Sequence, residues 1–287
     1  MSVSESIETL CTSGAREHLS PVAAVRRAAL FRETLTETAE RWALGTAYTL
    51  QPHRITGVPG LARTWLADLV TRRPGLPDPA KALAKPDGLA GIVHDFSSET
   101  ILEAYRRTLY PHAHCGPLKW WSPAERCVLH FDEFHIAKRL RRQLRQQRHR
   151  VTFDRDFERV IKACAGRRDG KWHLTWITPK VMRAYARLFD EGYAHSFEVW
   201  DEKDQLVGGG YGLAVGRVFS TESQFSLEPN TSKIGFTVLN WHLARWSFSL
   251  NDGKAPTPTI DGMGFRSIPR GDFAAHVEDD GAVHPGP

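Results

Sequence analysis

Cysteine is sparse in this 287-residue chain: Cys11, Cys115, Cys127 and Cys164 are scattered and form no CxxC or CxxxC pair. That leaves little case for disulfides or a structural zinc, and fits reduced thiols in a cytoplasmic protein. No apolar run approaches the roughly 20 residues a membrane helix needs. The start, "MSVSESIETLCTSG", lacks the basic and apolar regions of a signal peptide. A membrane partner is therefore not expected. No GxSxG elbow occurs, and His195 in "HSFEVW" has no obvious nucleophile partner. The glycines of "VGGGYG" sit between two predicted strands rather than opening a helix, so they are not a dinucleotide loop. They suit close backbone approach or a bulge. "PHAHC" holds His112, His114 and Cys115 without a second ligand cluster, so a surface loop explains it better than a metal.

Acids are also missing from one place. Hydrophobic content of 41% and charged content of 25% are ordinary, and the formal charge is only +5. Yet residues 138–150, "KRLRRQLRQQRHR", hold seven Lys or Arg and no Asp or Glu. A one-signed stripe attracts phosphates, which dominate nucleic-acid affinity. Elsewhere, "GPLKWWSPAERC" puts Trp120 beside Trp121 between two prolines. On a strand, neighbours point to opposite faces, so at most one can join a given core. The other must pack elsewhere or meet a ligand. Trp176, in "LTWITP", is a second Pro-flanked indole. Basic tracks with aromatic platforms hold single-stranded nucleotides, each stacked base being worth roughly 1–3 kcal/mol.

Periodicity predicts helix over 15–50, with Ser20-Pro21 as a start, and over about 61–71. A Pro/Gly-rich stretch at 74–80 reads as a linker. Ser97 or Ser98 caps a helix whose apolar stripe is Ile101, Leu102 and Tyr105. The basic segment 132–149 is predicted helical. "VTFDRDFERVIKACAG" reads as a strand then a helix, and "TPKVMRAYARLFDEG" as an amphipathic helix ended by Gly192. Residues 195–226 alternate as successive antiparallel strands. A further helix is capped at Asn230 or Thr231. The class is α+β, with helices packed on a largely antiparallel sheet. Two polar clusters stand out. Glu222, between Thr221 and Ser223 on an otherwise apolar strand, is favoured as a site carboxylate over a strand-end surface residue. Asn251 and Asp252 in "SLNDG" form the other, which a turn alone would explain equally well.

"KPDGLAG", "DFSSETILEAYRRTLYP", "WWSP", "LTWIT", "GYAHSFEVW", "LVGGGYGLAVGRVFSTESQFS", "NTSK" and "IPRGDF" come in the order seen in leucyl/phenylalanyl-tRNA–protein transferases. The chain resembles that family over about residues 78–275, and residues 1–77 have no counterpart in the usual pattern. The resemblance implies a Gcn5-related acetyltransferase-like core preceded by a small N-terminal domain. It implies transfer of an amino acid from aminoacyl-tRNA to the N-terminal amine of a protein beginning with Arg or Lys, without acetyl-CoA or another cofactor. The expected division is a helical extension (1–77), a small domain with the basic helix (78–150), the catalytic domain (151–275) and a disordered tail (276–287).

Carried over by motif, Trp120 or Trp121 and Trp176 would hold the terminal adenosine. Lys138, Arg139, Arg141, Arg142 and Arg145 would hold the tRNA backbone. Glu222 and Ser223 would stand beside the reacting ester and amine, and Asn251 with Asp252 would bind the acceptor or the ribose. Gly210, Gln224, Phe225 and Phe236 would line the donor pocket. The family usually reads GGMYG and ESMFS, so Gly210 and Gln224 replace two pocket methionines, which opens the donor to residues other than Leu or Phe. The family's "IDCQ", aligned on "LND", falls on Trp246-Ser247-Phe248-Ser249, so its Asp and Gln are expected to be missing. The acceptor is a protein N-terminus or a small-molecule amine. Two other readings are an acyl-CoA N-acyltransferase, for which the helix-opening pyrophosphate loop is lacking, and a non-catalytic tRNA-binding relative.

Overall fold

The computed structural model of the chain describes residues 3–13, 21–72, 75–167, 170, 172–257, 260 and 262–279. In chain order the helices are α1 (Val3–Leu10), α2 (Pro21–Leu30), α3 (Leu35–Thr49), α4 (Val58–Thr71), α5 (Ser98–Arg106), α6 (Lys138–Arg145), α7 (Phe157–Ala165), α8 (Pro179–Asp190), α9 (Thr231–Arg245) and α10 (Arg270–Asp279). The strands are β1 (Cys11–Ser13), β2 (Leu83–Ala84), β3 (Asp87–Ile92), β4 (Tyr110–His112), β5 (Lys119–Trp121), β6 (Glu125–His130), β7 (Arg150–Phe153), β8 (Ala194–Trp200), β9 (Leu206–Val215), β10 (Val218–Ser226), β11 (Leu250–Asp252) and β12 (Arg266–Pro269).

The expected α+β class is what forms. Eight strands make one sheet in the order β1-β7-β8-β9-β10-β11-β6-β12, and four make a second in the order β2-β3-β5-β4. Among the described residues only β1–β7 and β10–β11 pair in parallel. The meander β8–β9–β10 is where the alternation predicted it. Its second turn is two residues, with Gly216 at φ +58° supplying the left-handed position. Helices α5, α7 and α8 cover one face of the large sheet, with Tyr105, Phe157 and Tyr185 in one core with Tyr211 of β9. On the other face α1, α6 and α9 bury Ile7, Leu140, Leu144 and Phe236. Every residue of β9 is buried between these layers. Its glycines permit that closeness: a Cβ on Gly208 would come within 2.6 Å of the Thr231 hydroxyl on α9.

Local signals were followed at α5 and α8. Ser97 accepts from Thr100 N, Thr178 caps α8 with Pro179 at its first position, and Gly192 takes φ +86° just beyond it. Other boundaries moved. The predicted 15–50 helix is two, because Thr34 and Glu37 form a capping box that starts α3 afresh; Ser20 lies outside the described residues. The basic helix is only Lys138–Arg145, since the chain just before it is still leaving β6 through a turn at Phe131–Glu133. Asn230 precedes α9 at φ +68° and makes no side-chain cap bond.

The expected domain boundaries also shift. The extension is not wholly helical, for β1 pairs with the edge of the large sheet at β7. The division at 150 is not where the sheets part, because β6 belongs to the large sheet, between β11 and β12. Residues 276–279, expected as tail, continue α10, with Val277 in its core; 280–287 lie outside the described residues. Among the described residues no helix is long and apolar enough to cross a membrane.

Candidate active site

The site is built around an irregularity in β10. Its register against β9 slips between Thr221 and Ser223, so Glu222 is the extra residue of a bulge, a device that re-aims a side chain. The Glu222 side chain is 0% exposed. Tyr105 Oη donates to its Oε1 at 2.6 Å, and Lys254 Nζ donates to the same oxygen at 2.7 Å. Tyr185 Oη lies 2.9 Å from Tyr105 Oη, completing a relay from α8 through α5 to the carboxylate. Burial and then the Glu222 charge push the Tyr105 and Tyr185 hydroxyls far above their ordinary range, so both remain protonated donors. The second oxygen, Glu222 Oε2, is buried and has no hydrogen-bond partner among the described residues. A buried acceptor left open in this way is a place for a ligand's N–H.

Lys254 is held in turn. Its Nζ also donates to the Thr221 carbonyl at 2.7 Å, and its backbone N donates to Asp252 Oδ1 at 2.8 Å. Asp252 was expected to bind acceptor or ribose, and the structure places it otherwise. Arg126 grips it with two bonds of 2.8 Å, and Ser220 Oγ donates at 3.0 Å. Those three and the Lys254 amide use all four of its acceptor positions. Burial alone would raise its pKa, but the Arg126 guanidinium holds the carboxyl below its usual range. Asn251 is likewise committed: its Oδ1 accepts from Thr221 Oγ1 at 2.8 Å and its Nδ2 donates to Asn240 Oδ1 at 2.7 Å, tying β10 and β11 to α9.

Two cavities are lined by sequence neighbours of this centre, Ser223 in one and Ala255 in the other. One, of about 430 Å³, is lined by Ser223, Trp176, Trp172, His173 and Cys164. The other, of about 510 Å³, is lined by Trp121, Lys119, His112, His114 and Ala255, the neighbour of Lys254. Tyr48, from α3, lines both. The tryptophan pair divides as strand alternation requires, though β5 is an interior strand of its sheet rather than a loop or edge. Trp120 is 1% exposed and packs on Phe96, so it has no face for a base. Trp121 faces the larger cavity and donates its indole N–H to the His112 carbonyl at 3.0 Å. Trp176 stacks on His112, with centroids 5.6 Å apart and planes at 28°.

The expected donor-pocket residues do not converge. Gly210 and Gln224 are cross-strand partners, but a Cβ on Gly210 would lie 2.7 Å from the Phe197 ring, so the missing side chain opens no space there. Phe236 packs on α9's side of the sheet with Phe197, while Phe225 belongs to the core on the opposite face. None of the four lines either cavity. Lys138, Arg139, Arg141, Arg142 and Arg145 are exposed on α6, which packs through Leu140 and Leu144 on α9's side, away from the Tyr105–Tyr185 layer behind Glu222.

Four residues were missed. Tyr105 reads from the sequence as one more apolar position of α5, and Tyr185 likewise of α8. His112 was weighed only as a metal ligand. Lys254 follows the noticed pair Asn251-Asp252 by two positions, and that proximity was the available signal.

The Glu222 centre is a buried carboxylate with one open oxygen, and its sequence neighbours Ser223 and, beside Lys254, Ala255 each line a cavity. Residues 128–278 match the family described as leucyl/phenylalanyl-tRNA protein transferase, and residues 94–124 match its N-terminal domain. A leucyl/phenylalanyl-tRNA–protein transferase of Pseudomonas syringae pv. tomato is 49% identical over 198 residues, which is 69% of this chain and 86% of that one. One from Pseudomonas fluorescens is 46% identical over 221 residues, 75% of this chain and 94% of that one. The chain belongs to the leucyl/phenylalanyl-tRNA protein transferase family, whose members are aminoacyltransferases.

Proposed function

We propose that the protein moves an aminoacyl group from aminoacyl-tRNA to an amine, using no cofactor beyond the charged tRNA, in the cytoplasm. The observation that carries this is the open Oε2 of Glu222, buried while Lys254 and Tyr105 occupy Oε1. The acceptor amine donates an N–H to Oε2 and attacks the ester carbonyl. A C–N bond forms, the C–O bond to the ribose breaks, and the amine proton passes by way of Glu222 to the departing ribose oxygen. An ester is already activated, so positioning supplies much of the acceleration. Ser223 and Trp176 border the donor's cavity, where Trp176, backed by His112, offers a stacking face to the adenine. The exposed cations of α6 serve the tRNA backbone.

Asp252 and Lys254 are two positions apart, as Asp and Gln are in the family's "IDCQ"; on that pairing the carboxylate is kept and an ammonium takes the place of the amide. Labelled aminoacyl-tRNA incubated with the purified protein and a cell extract should yield an amide-linked product. Glu222→Gln should bind the tRNA as before and lose transfer by roughly 100-fold or more. Equal transfer by wild type and Glu222→Gln would sink the assignment, and tRNA binding without transfer by the wild type would favour the non-catalytic reading.

A further inference from the structure

The larger cavity is walled in part by a segment that precedes both stretches matched by the family. Tyr48 stands near the end of α3, and His53, Arg54 and Thr56 follow in the turn to α4. The segment rests directly on loops of the small sheet. A Cβ on Gly45 would lie 1.8 Å from the His114 carbonyl oxygen, and one on Gly60 would lie 2.3 Å from that of Lys85. Only glycine at both positions allows so close a seat.

Four rings run from this segment to the smaller cavity. Tyr48 meets His114 edge-on with centroids 4.7 Å apart, His114 meets His112 at 4.4 Å, and His112 stacks on Trp176 at 5.6 Å. Tyr48 lines both cavities, while His112 and His114 line the larger and Trp176 the smaller. The row thus leads from the face proposed for the adenine into the neighbouring chamber. Burial takes both imidazoles below their ordinary range, His114 to about 4, so each is a neutral ring near neutral pH. His114 Nδ1 is also buried with no hydrogen-bond partner among the described residues, which leaves it for a ligand.

Charge points the same way. Arg54, Lys85 and Lys119 line the larger cavity against one carboxylate, Asp87. None of the three cations is in an ion pair among the described residues. Arg54 lies 4.0 Å over the Tyr48 ring, and Lys119 Nζ donates to the carbonyls of Cys115 and Pro117 at 2.6 and 2.8 Å. Asp87 accepts from the Ala124 amide at 3.2 Å. Aromatic faces interleaved with cations are what a single nucleic-acid strand requires.

We infer that the larger cavity holds the nucleotide preceding the terminal adenosine of aminoacyl-tRNA, with Tyr48 and His114 as faces for its base and Arg54, Lys85 and Lys119 around its phosphates. The inference rests on the transfer reaction proposed above. About 510 Å³ falls within the range of small-molecule sites. Tyr48 and Arg54 lie outside the stretches matched by the family, so this contact adds to the site those stretches build.

Three donors carrying the same labelled aminoacyl group test it: adenosine alone, the dinucleotide cytidylyl-adenosine, and full tRNA. Each is given to the full-length protein with a peptide beginning with Arg, and with a cell extract as a second source of acceptors. In the wild type, kcat/KM should rise about tenfold or more from adenosine to the dinucleotide. Arg54→Glu and Lys85→Glu should each cut that ratio by about threefold or more, and the cut should shrink as salt rises. Both side chains are exposed, so neither reversal buries a charge. A wild-type ratio near one, with transfer from all three donors, would overturn the inference and leave the transfer reaction standing. A ratio unchanged in both variants would assign the gain to another surface and overturn it too, whether or not the acceptor's KM rises. No label from any donor, full tRNA included, would remove the transfer reaction and this inference together.

Discussion

Lys254 sits where one ammonium has two effects, pairing with Oε1 of Glu222 and, by occupying it, leaving Oε2 as the open face. A carboxylate whose side chain is 0% exposed is costly to keep without such a partner. Lys254→Met should therefore lower kcat by tenfold or more while leaving the Kd for aminoacyl-tRNA nearly unchanged, with Lys254→Arg recovering part of the loss. Steady-state kinetics with filter binding would check both, and an unchanged kcat would make the lysine a bystander. Asp252 belongs to a different ledger. Its removal in Asp252→Ala strands Arg126, which is 2% exposed and otherwise held by the Thr108 carbonyl and the rings of Tyr110 and Phe273. Breaking a buried pair from one side costs about 3–5 kcal/mol. Urea unfolding should show a loss of that order; a loss below about 1 kcal/mol would mean water reaches the site.

Between elements, the join of β7, β8 and α7 carries its own titration. Glu198 on β8 accepts from Ser196 Oγ at 2.6 Å and from Thr152 Oγ1 on β7, and it faces the backbone N–H groups of Arg155 and Asp156 at the entry to α7. Burial raises its pKa from 4.5 to about 7, against the opposing pull of those hydroxyls. A folded-state value above the unfolded one means stabilisation that is complete below about 4.5 and is lost as pH rises toward 7. Glu198→Gln should flatten the fall in unfolding free energy across that window, measured by urea titration at several pH values. The same elements show what was legible. The strands β8 to β10 and helix α8 could be read because alternation, caps and glycines are local. The bulge at Glu222 could not, because a slip of register is a relation between strands. Tyr105 and Lys254 were missed for a related reason: one looks like core and the other like a turn until the fold brings both to one oxygen. Placing β6 in the large sheet needs the same long-range pairing, since its neighbours β11 and β12 lie more than a hundred residues away.

At the scale of the molecule, the basic helix and the Ser223–Trp176 cavity lie on different sides of the large sheet, so on the proposed reading a charged tRNA is gripped on one side and delivers its 3′ end to the other. The formal charge of +5 is modest, so the proposed reading puts the weight on the exposed, acid-free run of α6. Each duplex phosphate neutralised contributes about −0.9 to the slope of log K against log salt. Replacing Arg139, Arg141, Arg142 and Arg145 with Gln should make that slope shallower by roughly three to four if each holds a phosphate. The affinity loss should then be largest at low salt and narrow as salt rises, because screening weakens the wild-type contacts first. A loss of affinity with no change in slope would mean that the variant disturbed the packing of Leu140 and Leu144 instead. An unchanged affinity would move the tRNA track off α6, and the acceptor stem would have to approach from the cavity side, past Trp172, which is 53% exposed. Salt titrations of the two proteins decide between a stem wrapped across the sheet and one confined to a single face.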